Sequence, residues 1–263
     1  MLLREVEYSK PASVAEALTL LAADDGARAL AGGQPLINVM KARAASPDAL
    51  VDLNGLEELK GIELGADGTL SIGPMTTYAE LIASAEARAR PILGEVCATI
   101  ADVQVRNRGT IGGNLCSNDP TNHLPPLMAA IGAQMTITGA AGARTVPASD
   151  FFLGVYMTAV GPGELLTRIH VPAGRHDGFA AVTLGVDGTC IVNAAATLDG
   201  KLRIALGCVD AVPVLVEADS VDDVRAAVRD AHLDPPSDVH ASSEYRAHLA
   251  GVLAERAARQ AAG

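Results

Sequence analysis

The 263-residue sequence predicts an α+β protein with three lobes, formed by residues 1–55, 56–175 and 176–263. Two Asp-Gly pairs, Asp67–Gly68 and Asp199–Gly200, each stand between short strand-like runs and therefore indicate antiparallel hairpins. Apolar residues at helical spacing occur before and between these hairpins. In the third lobe the pattern changes to consecutive strands followed by helices, which indicates a separate C-terminal unit.

The first lobe begins with a predicted helix in SVAEALTLLAADD. Ser13 and Glu16 have the spacing of a capping box, and apolar residues then recur at helical intervals. The segments that follow are a strand, a helix and a second strand, in ARALAGG, LINVMKAR and LVDL.

The second lobe opens with the hairpin in GIELGADGTLSIG. Thr77 and Glu80 then form a second capping-box pair, which predicts a helix in TTYAELIAS. A further helix is predicted to run through RPILGEVCATIA up to the glycine-rich stretch at residues 108–120. The remaining elements are a helix that starts with proline and a strand, in PPLMAAIG and AQMTITG.

The third lobe is predicted to contain three strands and two helices. The strands lie in GFAAVTLG, CIVNAAATL and KLRIALGCV, and the first helix lies in SVDDVRAAVRDA. The C-terminal helix is predicted to bury one apolar face, formed by Tyr245, Leu249, Val252 and Leu253.

Composition excludes several classes of function. The net charge is −11 and no cluster of Lys and Arg stands out, which disfavours binding to a nucleic-acid backbone. No apolar run approaches the roughly 20 residues that a membrane helix requires. The N-terminus, MLLREVEYSKP, lacks the apolar core and cleavage site of a signal peptide, so a cytoplasmic location is expected.

The cysteines and histidines do not suggest a metal site. Cys97, Cys116, Cys190 and Cys208 are widely spaced and form no C-x-x-C motif, unlike the ligands of zinc or iron–sulfur centres. The six His residues also lack the spacing of metal ligands. We therefore predict no metal and expect the cysteines to be free, buried thiols.

Two glycine pairs, Gly32–Gly33 and Gly112–Gly113, resemble each other in context. Each pair follows a β-prone segment and precedes a polar side chain, Gln34 or Asn114. Successive backbone N–H groups without side-chain bulk can form a concave anion site, so two such loops could hold a diphosphate from both sides. Neither is a G-x-G-x-x-G or Walker A motif, and a tight turn between strands is the structural alternative.

Three long segments together resemble the FAD-binding medium subunit of molybdenum hydroxylases, the relatives of carbon monoxide dehydrogenase and xanthine dehydrogenase. These segments are AGGQPLINVMKAR, VQVRNRGTIGGNLCSNDPTNHLPPLMAA and SDVHASSEYRAHLAGVLAERA, and the likeness runs nearly from end to end. The motifs A-G-G-H or A-G-G-Q and T-I-G-G-N, in this order and at this separation, are specific to the family.

The resemblance implies a two-lobed FAD-binding domain of the PCMH type, followed by a C-terminal lobe with a small antiparallel sheet and helices. It also implies that two motifs, AGGQPL at residues 31–36 and TIGGN at residues 110–114, wrap the FAD diphosphate. Leu166 and Ile100 match positions that contact the cofactor, although an aliphatic residue is commonly part of the core. The candidate FAD-binding residues are Ala31, Gly32, Gly33, Gln34, Pro35, Leu36, Ile100, Thr110, Ile111, Gly112, Gly113, Asn114, Asp119, His123 and Leu166.

The sequence departs from the family pattern in two places. His123 stands where relatives commonly have an Asp that accepts hydrogen bonds from the cofactor; a neutral His can also accept one. Asp119 is near enough to substitute, although Asp-Pro is also a common turn element. No Lys or Arg occurs from His176 to Gly200, where relatives often carry them, which leaves the tuning of the flavin and its electron acceptor open.

The function implied by the resemblance is electron transfer. A large partner with a molybdenum cofactor would hydroxylate the substrate, and a small partner with 2Fe–2S clusters would pass electrons to FAD in this chain. We expect a dimer of heterotrimers, and we nominate no catalytic residue because the cofactor performs the redox chemistry.

Two alternatives remain open. A stand-alone flavin oxidoreductase would need its own substrate pocket with a proton donor, and the sequence shows no such constellation. A scaffold subunit without flavin would leave both glycine pairs unexplained. The substrate of the complex and the terminal electron acceptor are not encoded recognisably in this chain.

Overall fold

The computed structural model describes residues 3–185 and 188–263, and it begins with a small parallel sheet. The three strands stand in the order β1-β3-β2, with β3 in the middle. The elements of this part are β1 (Glu7–Ser9), α1 (Val14–Ala23), β2 (Ala27–Leu30), α2 (Gln34–Lys41) and β3 (Ala49–Asp52).

The start of α1 confirms the predicted cap. The hydroxyl of Ser13 accepts a hydrogen bond of 3.2 Å from the amide of Glu16. The carboxylate of Glu16 accepts from the amide of Ala12 at 2.8 Å, one residue before the position expected in a capping box. These two bonds satisfy the amides of Glu16 and Ala12, which have no carbonyl partner within the helix.

A five-stranded antiparallel sheet forms the centre of the molecule. Its strands stand in the order β4-β5-β10-β6-β7, while β8 and β9 form a separate hairpin. The first pair turns at Asp67–Gly68, where Gly68 has φ +83°, which confirms the first predicted hairpin. The strands are β4 (Ile62–Leu64), β5 (Leu70–Ile72), β6 (Gln134–Gly139), β7 (Gly142–Pro147), β8 (Phe152–Gly154), β9 (Met157–Thr158) and β10 (Leu165–Val171).

Six short helices pack around this sheet. Thr77 and Glu80 form a complete capping box, as predicted. The helix predicted in RPILGEVCATIA ends earlier than expected because Ala101 adopts a left-handed backbone with φ +42°, and a new helix begins after Asp102. The helices are α3 (Tyr78–Ala83), α4 (Ile92–Ala98), α5 (Val103–Arg106), α6 (Ile111–Ser117), α7 (Leu124–Ala130) and α8 (Ala148–Phe151).

The C-terminal part is a four-stranded antiparallel sheet covered by helices. The strands follow each other in chain order, and the predicted hairpin at Asp199–Gly200 is confirmed. A fourth strand, not recognised in the sequence, completes the sheet. The elements are β11 (Asp177–Thr183), β12 (Cys190–Asp199), β13 (Lys201–Gly207), β14 (Val214–Ala218), α9 (Val224–Asp230) and α10 (Ser243–Ala262).

The buried face of α10 differs from the predicted one. Leu249 and Leu253 are buried as expected, but Tyr245 is 49 % exposed and Val252 is only partly buried. Most of the buried face consists of alanine, and a side chain at Gly178 of β11 would overlap the carbonyl of Ala257. The helix lies so close to the sheet that small residues, rather than large apolar ones, form the contact.

A buried ion pair joins the C-terminal sheet to the rest of the molecule. Arg90 donates to both carboxylate oxygens of Asp177, at 2.8 and 2.7 Å, and to the carbonyl of Pro172 at 2.6 Å. Both side chains are at least 96 % buried, since their exposed fractions are 4 % and 3 %. Removal of either partner would leave a buried charge unpaired, which costs several kcal/mol in other proteins, about 3–5.

Candidate functional site

The first glycine pair lies in the turn between β2 and α2. Gly33 has φ +75° and occupies the N-cap of α2, where no side chain caps the helix. Within the chain described here, no hydrogen bond uses the amides of Gly32, Gly33 and Gln34. This row of N–H groups lies at the positive end of an eight-residue helix, an arrangement that suits an anion.

The second glycine pair is not a loop, which corrects the sequence prediction. Gly112 and Gly113 lie in the first turn of α6, whose N-cap is Thr110. The Gly113 amide donates to the Thr110 hydroxyl at 3.0 Å, and the Gly112 amide donates to the carbonyl of Pro74 at 2.8 Å. Threonine as N-cap outweighs the low helix propensity of glycine here.

The two segments that carry the glycine pairs lie next to each other in space. A side chain at Gly32 would overlap the backbone carbonyl of Arg108 and would come within 2.9 Å of the Gly109 Cα. A Cβ at Gly113 would lie 3.6 Å from the Cβ of Ala31. The segment of the first glycine pair therefore packs against residues 108–113, which carry the second pair, although about eighty residues separate the two pairs in the chain.

One buried acceptor at this junction has no partner. Asn114, in the first turn of α6, is 92 % buried since its exposed fraction is 8 %, and its Oδ1 accepts no hydrogen bond within the described chain. Tyr78 lies beside it, and burial raises the pKa of the Tyr78 hydroxyl. A buried amide oxygen without a donor costs free energy, which a ligand with an N–H or O–H group would recover.

Asp119 lies just beyond the C-terminal end of α6 and is already hydrogen-bonded. Its Oδ1 accepts from the hydroxyl of Thr121 at 2.7 Å, and its Oδ2 accepts from the hydroxyl of Tyr156 at 3.0 Å. Tyr156 itself has a left-handed backbone with φ +56°. The carboxylate keeps lone pairs for a further donor, so its predicted role at the cofactor stays a prediction.

The two aliphatic candidates lie in the largest core. Leu166 of β10 is only 4 % exposed and packs in the buried cluster around the central sheet. Ile100 is partly buried against the same cluster, and its carbonyl accepts a hydrogen bond of 2.9 Å from Arg106. This packing is enough to explain why both residues are apolar, and their contact with a cofactor remains a prediction.

His123 is buried at the junction with the C-terminal sheet. It is 8 % exposed and precedes α7, so it is not a histidine on a solvent-exposed loop. Its Nδ1 accepts from the side-chain amide of Asn193 at 3.3 Å, and its ring lies 5.3 Å from that of Phe179.

Sequence reasoning missed Asn193 and Tyr156. Asn193 is fully buried in β12, within the run VNAAATL, where a single amide among small apolar residues could have marked it. Tyr156 lies on the hairpin of β8 and β9, and no local pattern connects it to Asp119, which is 37 residues earlier in the chain.

Comparison with known proteins decides the family. Residues 4–174 match the family model described as the FAD binding domain in molybdopterin dehydrogenase. The chain belongs to this family. Membership confirms the resemblance seen in the sequence, and it makes the protein an FAD-dependent subunit of the molybdenum hydroxylase type of oxidoreductase.

Similar proteins of known function span the whole chain. The medium chain of carbon monoxide dehydrogenase from Afipia carboxidovorans is 40 % identical, over 97 % of this chain and 96 % of the relative. The medium chain of glyceraldehyde dehydrogenase from Sulfolobus acidocaldarius is 34 % identical, over 98 % of this chain and 99 % of the relative. Because the matched family model is an FAD binding domain, FAD is the cofactor of this family member.

A solved structure has the same fold. Carbon monoxide dehydrogenase from Hydrogenophaga pseudoflava superposes with a TM-score of 0.91 at 36 % identity, covering 99 % of this chain and 98 % of the other. The similarity extends through the C-terminal sheet, and the predicted α+β class is confirmed. None of the helices in the described part of the chain has the length and apolar character needed to cross a membrane.

Proposed function

We propose that this chain is the electron-transfer subunit of a cytoplasmic molybdenum-containing hydroxylase. It takes electrons from 2Fe–2S clusters of a small partner and passes them to an external acceptor, while a large partner carries the molybdenum cofactor. The observation that supports this proposal is the contact between the two glycine motifs, which builds one cradle from distant parts of the chain. Relatives that are named medium chains support the presence of larger and smaller partners.

The residues at the cradle fit the FAD diphosphate. The unused amides of Gly32, Gly33 and Gln34 would bind its oxygens at the start of α2, where the helix dipole favours negative charge. The second motif would form the opposite wall, since its own first amides are already bonded to protein groups. Asn114 Oδ1, which lacks a donor, would accept a hydrogen bond from the cofactor.

FAD supplies the redox chemistry when it is bound, because it exchanges electrons singly or in pairs. The chain itself binds and orients the cofactor. Asp119 and His123 would contribute polar contacts to the cofactor near α7, and both are held in place by protein contacts from Tyr156 and Asn193. No side chain is required as an acid or base, so none is assigned a catalytic role.

The three sheets support the proposed domain boundaries. Residues 1–55 contain the parallel sheet, residues 56–175 the five-stranded sheet, and residues 176–263 the four-stranded sheet. We propose that the first two units form the two-lobed FAD-binding domain of the PCMH type. The third unit is the C-terminal flavoprotein domain.

The assembly is proposed to be a dimer of heterotrimers, and the decisive test is flavin reduction. The chain is purified both alone and with the partners that co-purify through an affinity tag, and iron and molybdenum are measured against FAD. Carbon monoxide, a purine, a nicotine-type heterocycle and an aldehyde are then added anaerobically, and the visible flavin bands are recorded.

We expect one of these substrates to bleach the flavin in the complex but not in the isolated chain. Dithionite should bleach both, which serves as the control for a competent flavin. Rapid bleaching of the isolated chain by a substrate would contradict the relay and favour a stand-alone flavin oxidoreductase. A flavin-containing complex without iron or molybdenum would also overturn the proposal.

A further inference from the structure

Two cysteines lie side by side behind His123, at the junction between α7 and the C-terminal sheet. Cys190 and Cys208 are free thiols, 2 % and 5 % exposed. The side-chain nitrogen of Asn193 lies 3.4 Å from the Cys190 sulfur and 3.8 Å from the Cys208 sulfur. Both sulfurs thus lie next to one amide nitrogen.

A bulge in β12 brings Cys190 to this face of the sheet. Regular alternation would place residues 190 and 193 on opposite faces. The register with β11 shifts here, because Val182 pairs with Val192 whereas Thr183 pairs with Cys190, so Ile191 is an extra residue. The bulge turns Cys190 to the same face as Asn193, toward α7, as bulges next to functional sites commonly do.

An irregular backbone also orients Cys208. This residue follows the last residue of β13 and has φ +66°, in the left-handed region that a non-glycine residue adopts only at a cost in free energy. Its thiol lies 3.1 Å from the carbonyl of Pro120, in the segment between α6 and α7. Two local departures from regular strand geometry, a bulge and a left-handed residue, therefore converge on one pair of sulfurs.

The chemical environment of the pair differs from that of the other two cysteines. Hydrogen bonds from the Cys208 thiol, His123 and Asn193, together with the charge of a protonated His123, outweigh burial and lower the pKa of the Cys190 thiol. The same contact with Cys190, together with burial, raises the pKa of Cys208. Asp119 and Arg246 also act on Cys208, with opposite signs. By contrast, burial alone raises the pKa of Cys97 and of Cys116 to about 12.

We propose that Cys190 and Cys208 form a redox-active dithiol that reacts with hydrogen peroxide and closes to a disulfide. The Cys190 thiolate attacks one peroxide oxygen, the O–O bond breaks, and the departing hydroxide takes the Cys208 proton to become water. The Cys208 thiolate then attacks the sulfenic sulfur of Cys190. The S–O bond breaks, and the second hydroxide takes a proton from solvent to give a second water.

The surroundings are compatible with both redox states. The Asn193 amide has two hydrogens but four acceptors around it: the two sulfurs, the Asn122 carbonyl at 3.2 Å and His123 Nδ1 at 3.3 Å. When the sulfurs oxidise, the last two acceptors still satisfy both hydrogens. Cys208 also lines a small open pocket next to Asp119 and Pro120, so this pocket reaches one of the two sulfurs.

This pair is not a metal site. Across the residues that the structure describes, no group of three or more His, Cys, Asp or Glu side chains is arranged to hold a metal ion. The chemistry that the geometry supports is therefore exchange between dithiol and disulfide.

The test uses the full chain and hydrogen peroxide. Folded protein is treated with increasing peroxide, quenched, alkylated in denaturant and analysed by peptide mass spectrometry. We expect a linked peptide pair containing Cys190 and Cys208, while Cys97 and Cys116 remain alkylated. Because the thiolate is the reacting form, oxidation of Cys190 should be at least about 100-fold faster than that of Cys97.

Single variants separate the two roles. With Cys208→Ser, Cys190 should still oxidise and should be trapped as a sulfenic acid by dimedone. With Cys190→Ser, Cys208 should lose its reactivity, whereas Cys116→Ser should leave the disulfide and its rate unchanged. Equal oxidation of all four cysteines in folded protein, or no disulfide at any peroxide concentration that leaves the fold intact, would overturn the proposal.

Discussion

The segments that carry the two glycine pairs are in contact, but the pairs differ in what their backbone amides do. Around Gly32 and Gly33 the amides are unused in the described chain, and Gly33 needs a left-handed backbone. At Gly112 and Gly113 the amides are bonded to Pro74 and Thr110. Similar sequence motifs thus have two physical causes: the first pair exposes donors, whereas the second pair removes side chains from a close contact between segments.

This difference separates the binding role from the packing role. A substitution in the first pair should displace the unused amide donors and also disturb the contact between Gly32 and Arg108. A substitution in the second pair should change the wall of the cradle while the amides stay bonded. Variants that act on one property at a time can break or sharpen the comparison.

Gly32→Val is expected to have the largest effect. Its side chain would overlap the Arg108 carbonyl, so the two motifs must separate. FAD affinity should fall by at least about 100-fold, equivalent to about 2.7 kcal/mol, measured by titrating the apoprotein with FAD. Gly251→Ala, at a helix position with open space around it, is the matched control and should bind FAD normally. Native affinity in Gly32→Val would show that the motifs need not touch.

Gly113→Val should give a folded but colourless protein. A Cβ here would meet only the Thr110 hydroxyl, at 2.9 Å, before reaching Ala31, so the backbone is disturbed less than at Gly32. The larger side chain would nevertheless occupy the wall of the cradle. Circular dichroism and the visible spectrum check the two parts of the prediction. Stoichiometric FAD at native affinity would assign the second pair to packing alone.

Thr110→Ala should mainly affect stability. It removes the acceptor of the Gly113 amide and the N-cap of α6, which costs about 1 kcal/mol in other helices. The loss is measured by denaturant unfolding of the apoprotein, and FAD affinity should change less than in either glycine variant. Ser242→Ala, which removes the N-cap of α10, is the control with a comparable loss of stability and unchanged FAD binding. A loss of affinity as large as that of Gly113→Val would give Thr110 a direct role at FAD.

The smallest effect is expected at His123. An Asp at this position can still accept from Asn193 and matches the residue that relatives commonly have, so His123→Asp should preserve or tighten flavin binding. His123→Leu has no polar atom and should weaken binding, by less than about tenfold since one neutral hydrogen bond is lost. Titration of each apoprotein with FAD gives the comparison. Equal affinity of all three proteins would restrict His123 to the junction with the C-terminal sheet.

Local signals predicted most elements and the first glycine motif. Ser13, Thr77 and the two Asp-Gly pairs each act within a few residues, and all of these predictions are confirmed. The helix that contains Gly112 was missed because its start depends on contacts with Pro74 and Thr76, about 35 residues away in the chain. Glycine by itself favours a turn, and the Thr110 N-cap reverses that preference together with these tertiary contacts.

Long-range pairing also limited prediction of the site. The family resemblance implied that both glycine motifs lie at FAD, but it did not predict the contact of Gly32 with Arg108. Asn193 reaches His123 only through the packing of β12 on α7. The alanine-rich face of α10 was missed for a related reason. Amphipathic analysis looks for large apolar residues, whereas a helix in close contact with a sheet buries small ones.

The ion pair between Arg90 and Asp177 affects how the protein can be divided. The matched family domain ends at residue 174, three residues before the carboxylate that neutralises Arg90. A fragment that ends at that boundary would keep the whole cradle. It would leave the Arg90 guanidinium, which is buried in the full chain, without its carboxylate partner. During synthesis, Arg90 likewise cannot bond to Asp177 or Thr197 until these two residues have left the ribosome. The flavin-binding half therefore reaches its final form only after the C-terminal half has been made.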